Sequence, residues 1–251
     1  MVNESFYLEI MNLIASKTEG QYWDFKREPH KNNESLVHDI LCLANTKHDG
    51  DRFLIIGVAD SSKNCEIIGL DENTPKRKKE AELNDCLNSK EFGGGNVPIV
   101  NVRTLNIDNK EIDIIIIKND TQKPYYLEKN YGDVKAYHIY TRTGDRNTPK
   151  DKNANFADIE YMWKERFGLN LDVGERFEFY LDDIDNWMDE FETKETALYK
   201  PVPEFSIELT EFNESDYVEP FNTFYLDNSL LYGNILFKYN SNVIFQCSYV
   251  I

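Results

Sequence analysis

The chain has 251 residues, 41 % of them hydrophobic, so it is long enough to bury one large core or two modest ones. No run approaches about 18 apolar residues, and the N-terminal stretch is interrupted by polar side chains, so we expect a cytoplasmic protein without a membrane span or a signal peptide. The formal net charge of −17 argues, at first, against a nucleic-acid partner.

The charge is unevenly distributed along the chain. Residues 168–251 carry 17 acidic and four basic side chains and therefore −13 of the net charge, whereas residues 1–167 are near neutral at −4. Such a break predicts a boundary near Gly168, with one domain at 1–167 and a second region at 168–251. The first domain is therefore able to present a locally basic face to nucleic acid.

The first 167 residues predict an α+β domain. Apolar positions that recur every three or four residues indicate helices, and alternating or continuous apolar runs indicate strands. In chain order the predicted elements are a helix over 4–16, a strand within 18–27, a helix over 35–46, a strand over 53–58, a short strand at 67–70, a helix over 76–89, strands over 99–105 and 112–117 joined by a tight hairpin, strands at 125–127 and 136–142, and a helix over 156–167. We predict a mixed, largely antiparallel sheet flanked by helices.

The C-terminal region predicts a different organisation. Apolar positions from Val173 to Phe191 follow helical spacing with acidic residues between them, so an acidic amphipathic helix is expected before Pro201. Short strands are predicted beyond it at 205–209, 217–221, 224–226, 230–239 and 243–251. The acidic side chains either repel nucleic acid, form an assembly surface for a second copy or a partner protein, or are simply solvated; the sequence leaves these three alternatives open.

One charged stretch, TEGQYWDFKR at residues 18–27, stands out in the first domain. Because strand side chains alternate between faces, Trp23 and Phe25 should pack inward while Asp24 and Lys26 share the other face. With Glu19 at the preceding turn, the stretch offers two carboxylates for a Mg²⁺ or Mn²⁺ ion and a cation for a phosphate. The alternative is an edge strand whose charged side chains face water.

Several segments together resemble the Schlafen AlbA-2 domain family. They are, in order, TEGQYWDFKR, DILCLANT, FLIIGVAD, GL at 69–70, KPYY and HIYTRTGD, and the resemblance covers residues 5–167. It implies an α+β fold. A nuclease subset of the family uses three acidic residues to hold a divalent metal and cut tRNA and other structured RNA, whereas many bacterial relatives are described only as DNA-binding proteins.

The resemblance also implies a set of site residues. The three acidic positions fall on Glu19, on Asp24, where a glutamate is more usual, and on Asp60, and Lys26 follows the second of them. These carboxylates are expected to hold Mg²⁺ or Mn²⁺, so that a metal-activated water attacks a phosphodiester while Lys26 stabilises charge on the phosphate. Because close carboxylates repel one another, we also expect Asp24→Asn to stabilise the metal-free protein slightly.

The function predicted from these features is that of a metal-dependent nuclease. The expected partner is nucleic acid, most simply an RNA such as tRNA, and the expected setting is anti-phage defence. The alternative is a non-catalytic nucleic-acid-binding or regulatory module. The residues predicted to contact nucleic acid are Lys26, Arg27, Lys76, Arg77, Lys78, Lys79, Arg142 and Arg146.

Overall fold

The computed structural model describes residues 4–72, 74–189, 196–211 and 232–250. The chain divides into two compact units, Met1–Phe167 and Gly168–Ile251. None of the helices in the described ranges is long and apolar enough to cross a membrane.

The first unit is built on a four-stranded mixed sheet. Its elements are α1 (Glu4–Ala15), β1 (Trp23–Lys26), α2 (Asn33–Ala44), β2 (Arg52–Ile56), α3 (Glu80–Asn88), β3 (Val100–Ile107), β4 (Lys110–Ile117), the two-residue strands β5 (Arg142–Thr143) and β6 (Arg146–Asn147), and α4 (Phe156–Arg166). The strand order is β1-β2-β4-β3. Only β1 and β2 run parallel, and the other pairs are antiparallel, so the predicted mixed, largely antiparallel sheet is confirmed.

The sheet lies between two helical layers. Leu54 and Ile56 of β2 pack into a cluster with α2 and α3, whereas Phe53 and Ile55, on the opposite face, pack with α1. Every residue of β2 is buried, as the continuous apolar run predicts. A parallel β1–β2 pair requires a crossover, and α2 supplies it on one face of the sheet.

The predicted strands at 125–127 and 136–142 are wrong, apart from Arg142, which begins β5. The buried side chain of Asn45 joins the two segments at Tyr125 and Tyr140, where a strand ladder was predicted. Its amide group donates to Tyr125 O and Tyr140 O, both at 2.8 Å, and its carbonyl oxygen accepts the Tyr125 N–H at 2.7 Å. The short strand predicted at 67–70 is likewise reduced to two isolated bridges.

The cationic run at 76–79 precedes α3 instead of opening it. Lys76 has a positive φ of 64°, which a helix does not allow, and Lys79 is the N-cap. Helix α3 therefore begins at Glu80.

The second unit is β-rich, as predicted. It contains α5 (Val173–Leu181) and the antiparallel strands β7 (Trp187–Asp189), β8 (Thr196–Tyr199), β9 (Phe205–Glu211), β10 (Tyr232–Tyr239) and β11 (Asn242–Val250), in the order β11-β10-β9-β8-β7. The helix is shorter than expected because Trp187 folds back, stacking on Phe177 and donating its indole N–H to Tyr180 O at 2.8 Å. The strands predicted at 217–221 and 224–226 lie outside the described residues.

Candidate functional site

A polar pocket of about 420 Å³ adjoins β1. It collects all three acidic residues that the sequence singled out, together with three of the predicted nucleic-acid contacts. Its lining consists of Glu19, Asp24, Phe25, Lys26, Arg27, Asp60, Arg142, Asp145 and Asn147.

Asp24 is the buried centre of this pocket, with only 3 % of its surface exposed. Phe25 packs into the core on the α1 side of the sheet, so Asp24 and Lys26 lie on the opposite side, as strand alternation predicts. Lys26 Nζ lies 2.7 Å from Asp24 Oδ2, and the two groups form an ion pair that lacks hydrogen-bond geometry. Arg142 Nη2 lies 3.2 Å from the other oxygen, Asp24 Oδ1. The alternative of a water-facing edge strand is therefore wrong for Asp24.

Glu19 is the second carboxyl group of the buried part of the pocket. Burial and, next, the negative charge of Asp24 raise the pKa of Glu19 to about 7, although the Phe25 N–H donates to its Oε1 at 3.4 Å and Arg142 lies 3.9 Å away. A carboxyl group that is partly buried beside another negative charge loses its proton less readily, so Glu19 is partly protonated near neutral pH.

Asp60 lines the same pocket but is exposed to solvent. The hydroxyl of Ser62 donates to its carboxylate, and this hydrogen bond lowers the pKa of Asp60. Within the described ranges no group of three His, Cys, Asp or Glu side chains is placed to hold a metal ion together. The structure thus brings the three acids to one pocket and closely associates only Glu19 and Asp24.

This pair fits a hydrated Mg²⁺ or Mn²⁺ better than a fully protein-coordinated ion. Mg²⁺ commonly binds through one or two carboxylates and keeps several waters or substrate phosphates. The raised pKa of Glu19 means that its negative charge is disfavoured in the pocket, and a bound cation would relieve this penalty. The residues present therefore fit the ion through Glu19 and Asp24, with Asp60 on the same pocket as a third candidate.

Asp39 of α2 belongs to this site and was missed by the sequence analysis. Its Oδ2 lies 3.2 Å from Lys26 Nζ and 2.8 Å from His30 Nε2, and its Oδ1 accepts a 2.8 Å hydrogen bond from Asn147. Burial alone would raise the pKa of Asp39, but the contact with His30, the His38 ring 3.7 Å away and Lys26 hold this pKa well below its usual range. The available signal was an acidic residue within the apolar run LVHDILCLA.

Arg142 is not the surface cation that we predicted. It is 3 % exposed and donates to Gly20 O at 2.7 Å and to Asn147 Oδ1 at 2.8 Å, besides its contact with Asp24. Because the guanidinium is buried among these acceptors, it stabilises the pocket and does not offer a surface contact to phosphate.

Arg77 is also engaged within the protein. Its Nε donates to Asp113 Oδ2 at 2.6 Å, and its Nη2 lies 2.8 Å from Glu111 Oε2. The Lys76 ammonium donates to the Lys31 carbonyl. Arg77 and Arg142 therefore do not belong to the predicted basic surface, because acceptors of the protein itself engage both guanidinium groups. The side chains of Arg27 and Arg146 are 52 % and 91 % exposed, and Lys79 is exposed as well.

Comparison with known proteins places this site within a family. The family model described as Schlafen, AlbA_2 matches residues 19–151, which include the pocket residues from Glu19 to Asn147. No curated protein matches the chain. Among solved structures, the chain is similar to the DIP2311 protein from Corynebacterium diphtheriae, with 18 % identity and a TM-score of 0.41. The match covers 64 % of this chain and 28 % of the length of that protein.

Proposed function

The chain belongs to the Schlafen AlbA_2 family and carries a nucleic-acid-related domain, and on that premise we propose that its pocket is a metal-dependent nuclease centre that cuts RNA. The observation that carries the proposal is the Glu19 carboxyl group, whose pKa burial and the charge of Asp24 raise to about 7, in one pocket with Asp24 and its ion-pair partner Lys26. A carboxyl group with a strongly raised pKa, beside a second carboxylate and a lysine in a polar pocket, is a candidate for metal binding or proton transfer.

The side chains of the pocket suggest separate roles. Mg²⁺ or Mn²⁺, when bound, supplies Lewis acidity toward a phosphodiester oxygen and a nucleophilic water. Glu19 and Asp24 provide the negative charge that holds the ion, and Glu19 is also able to accept or release a proton at neutral pH. The ammonium of Lys26, 32 % exposed, lies where it is able to stabilise charge on the scissile phosphate.

The exposed cations around the pocket support a nucleic-acid substrate. Arg27 lines the pocket with its guanidinium largely exposed, and Arg146 is exposed on the β5–β6 hairpin. Such side chains bind phosphates without reading sequence. The resemblance to the nuclease subset favours tRNA or another structured RNA, and an anti-phage role is proposed on the same basis.

A non-catalytic nucleic-acid-binding module is the second candidate. It is favoured by one observation: both carboxylate oxygens of Asp24 lie beside cations of the protein itself, and the described residues hold no three-ligand set. In that function the pocket charges stabilise the fold and the exposed arginines bind the nucleic acid.

One incubation series separates the two candidates. Total tRNA is mixed with the protein in Mn²⁺, in Mg²⁺ or in EDTA, beside a Glu19→Gln variant, and the products are resolved on a denaturing gel. We expect discrete fragments with metal, none with EDTA, and at least a roughly 10-fold slower reaction for the variant, since its amide cannot supply the anionic ligand. Binding without metal-dependent cleavage would establish the second candidate.

A further inference from the structure

The ammonium of Lys26 lies between two carboxylates from different elements of the first unit. Asp24 of β1 lies 2.7 Å from Lys26 Nζ, and Asp39 of the crossover helix α2 lies 3.2 Å from it. We infer that Asp39, supported by His30, is a positioning residue that fixes Lys26 beside Asp24 at the pocket. The structural part of this inference rests on geometry alone. Its kinetic consequence rests on the proposed nuclease function.

Asp39 is linked to both cations that flank Asp24. It contacts Lys26 directly, and through its other oxygen it accepts the side-chain N–H of Asn147 at 2.8 Å. The oxygen of the Asn147 amide in turn accepts a 2.8 Å hydrogen bond from Arg142 Nη1. A single buried carboxylate thereby orients the lysine on one side of Asp24 and the arginine on the other.

The His30 ring directs its hydrogen-bonding capacity to Asp39. Its side chain is 7 % exposed, its Nε2 lies 2.8 Å from Asp39 Oδ2, and its Nδ1 has no hydrogen-bond partner among the described residues. The ring therefore makes its polar contact within this network with Asp39. A buried imidazole held in this way keeps the carboxylate from rotating away from Lys26.

The burial of Asp39 is costly for the fold by itself. Asp39 is 8 % exposed within a helix whose other buried side chains, apart from His38, are apolar, and buried ion pairs are commonly no more stabilising than apolar residues of similar size. Fixing Lys26 is the benefit that this arrangement offers. A lysine on an edge strand has several rotatable bonds, and holding it toward the pocket removes that freedom before the substrate arrives.

The structural part is tested by NMR of lysine ammonium groups, which give observable ¹H–¹⁵N signals when ion pairs immobilise them. The variants are Asp39→Asn, His30→Gln and, as the matched control on the same helix, Glu34→Gln, which removes the partner 2.5 Å from Lys150 Nζ. The Lys26 signal, assigned with Lys26→Arg, is expected to disappear in Asp39→Asn, to weaken in His30→Gln and to persist in Glu34→Gln. A Lys26 signal that persists unchanged in both network variants would overturn the inference.

The kinetic part uses the same variants with RNA and Mn²⁺. We expect Asp39→Asn to lower kcat by about 10- to 100-fold and to change KM little, because groups that orient a reacting side chain act in the transition state. Glu34→Gln should retain wild-type kcat. If the wild-type protein cleaves nothing, the proposed function fails while the NMR result still decides the positioning. An unchanged kcat in a variant without the Lys26 signal would overturn the link to the reaction.

Folding of the variants is checked by thermal unfolding. Should Asp39→Asn fail to fold, His30→Gln carries both measurements, because it removes the imidazole and leaves the Asp39 carboxylate in place. A His30→Gln protein with wild-type signal intensity and wild-type kcat would then contradict the inference.

Discussion

Arg142 Nη2 lies 3.2 Å from Asp24 Oδ1, and the two side chains, 118 positions apart in the sequence, are 2 % and 4 % exposed. Together with Lys26, this contact gives Asp24 two cationic neighbours. Two cations of the protein therefore attract Asp24, whereas the sequence suggested that repulsion from other carboxylates would dominate.

Asp24→Asn is accordingly expected to destabilise the protein. The substitution removes the closest counter-charge of the buried Arg142 and one of the two carboxylates beside Lys26, and breaking a buried ion pair such as Asp24–Arg142 costs about 3–5 kcal/mol. The measurement is urea unfolding in EDTA, with Asp145→Asn, on an exposed side chain of the same pocket, as the control. A higher unfolding free energy for Asp24→Asn would restore the repulsion hypothesis.

Arg142→Lys is expected to be far from conservative. Arg142 donates to Gly20 O and to Asn147 Oδ1 while it pairs with Asp24, and a lysine ammonium cannot reproduce this fork. The expected destabilisation is about 1.5–3 kcal/mol for hydrogen bonds that involve a charged group. Arg146→Lys, at an exposed site on the same hairpin, should leave the urea midpoint unchanged, and equal midpoints for the two variants would contradict the role given to Arg142.

The Glu19 carboxyl predicts a distinctive dependence of stability on pH. The pKa of Glu19 in the folded protein, about 7, lies above its ordinary value of 4.5, so the folded state holds the proton more tightly than the unfolded state. The free energy of unfolding that this group contributes therefore falls as the pH rises from the ordinary pKa through the folded one. Glu19→Gln resembles the protonated form and is free of this pH-dependent destabilisation. We expect the variant to match the wild type near pH 5 and to exceed it by about 1–2 kcal/mol at pH 8.5, after allowance for partial solvent screening.

The measurement is thermal or urea unfolding of both proteins in EDTA across this range. Glu28→Gln serves as the control because its side chain is 73 % exposed. A difference between Glu19→Gln and the wild type that does not change with pH would show that the Glu19 pKa is not raised.

Charge reversal at Arg27 tests the nucleic-acid surface. Arg27 lines the pocket and is exposed, so Arg27→Glu should weaken RNA binding in EDTA and reduce the slope of log affinity against log salt by about 1 for each phosphate that Arg27 neutralises in the wild type. Lys129→Glu is the control, since Lys129 is 74 % exposed and pairs with Glu91 away from the pocket lining. Equal salt slopes for the wild type and Arg27→Glu would place the bound strand elsewhere.

Much of the fold was predictable because it follows local rules. The apolar run of β2 and the periodicity of α2 indicate a buried strand and helix, and Asp108 and Asn109 take the positive φ angles of a tight hairpin turn. The strands predicted at 125–127 and 136–142 failed for a tertiary reason. There, Asn45 satisfies the neighbouring backbone groups through its side chain, and no periodicity in those segments reports such an arrangement.

The site was predictable in part. The resemblance named Glu19, Asp24, Lys26 and Asp60, and all four line one pocket. It did not indicate that Arg142 is buried or that Asp39 faces Lys26, because a charged residue in a helix or a hairpin usually faces water. Only the parallel crossover, which lays α2 on the Asp24 side of β1, makes the Lys26–Asp39 contact.

The distance along the chain between β1 and the β5–β6 hairpin also determines when the site is assembled during synthesis. Glu19, Asp24 and Asp39 are synthesised before Arg142 and Asn147, so a nascent chain that ends before residue 142 carries these acidic groups without the guanidinium that pairs with Asp24. Contacts between distant residues form late because loop closure must precede them. The pocket is therefore completed only after the hairpin docks, and an incomplete chain lacks the finished centre.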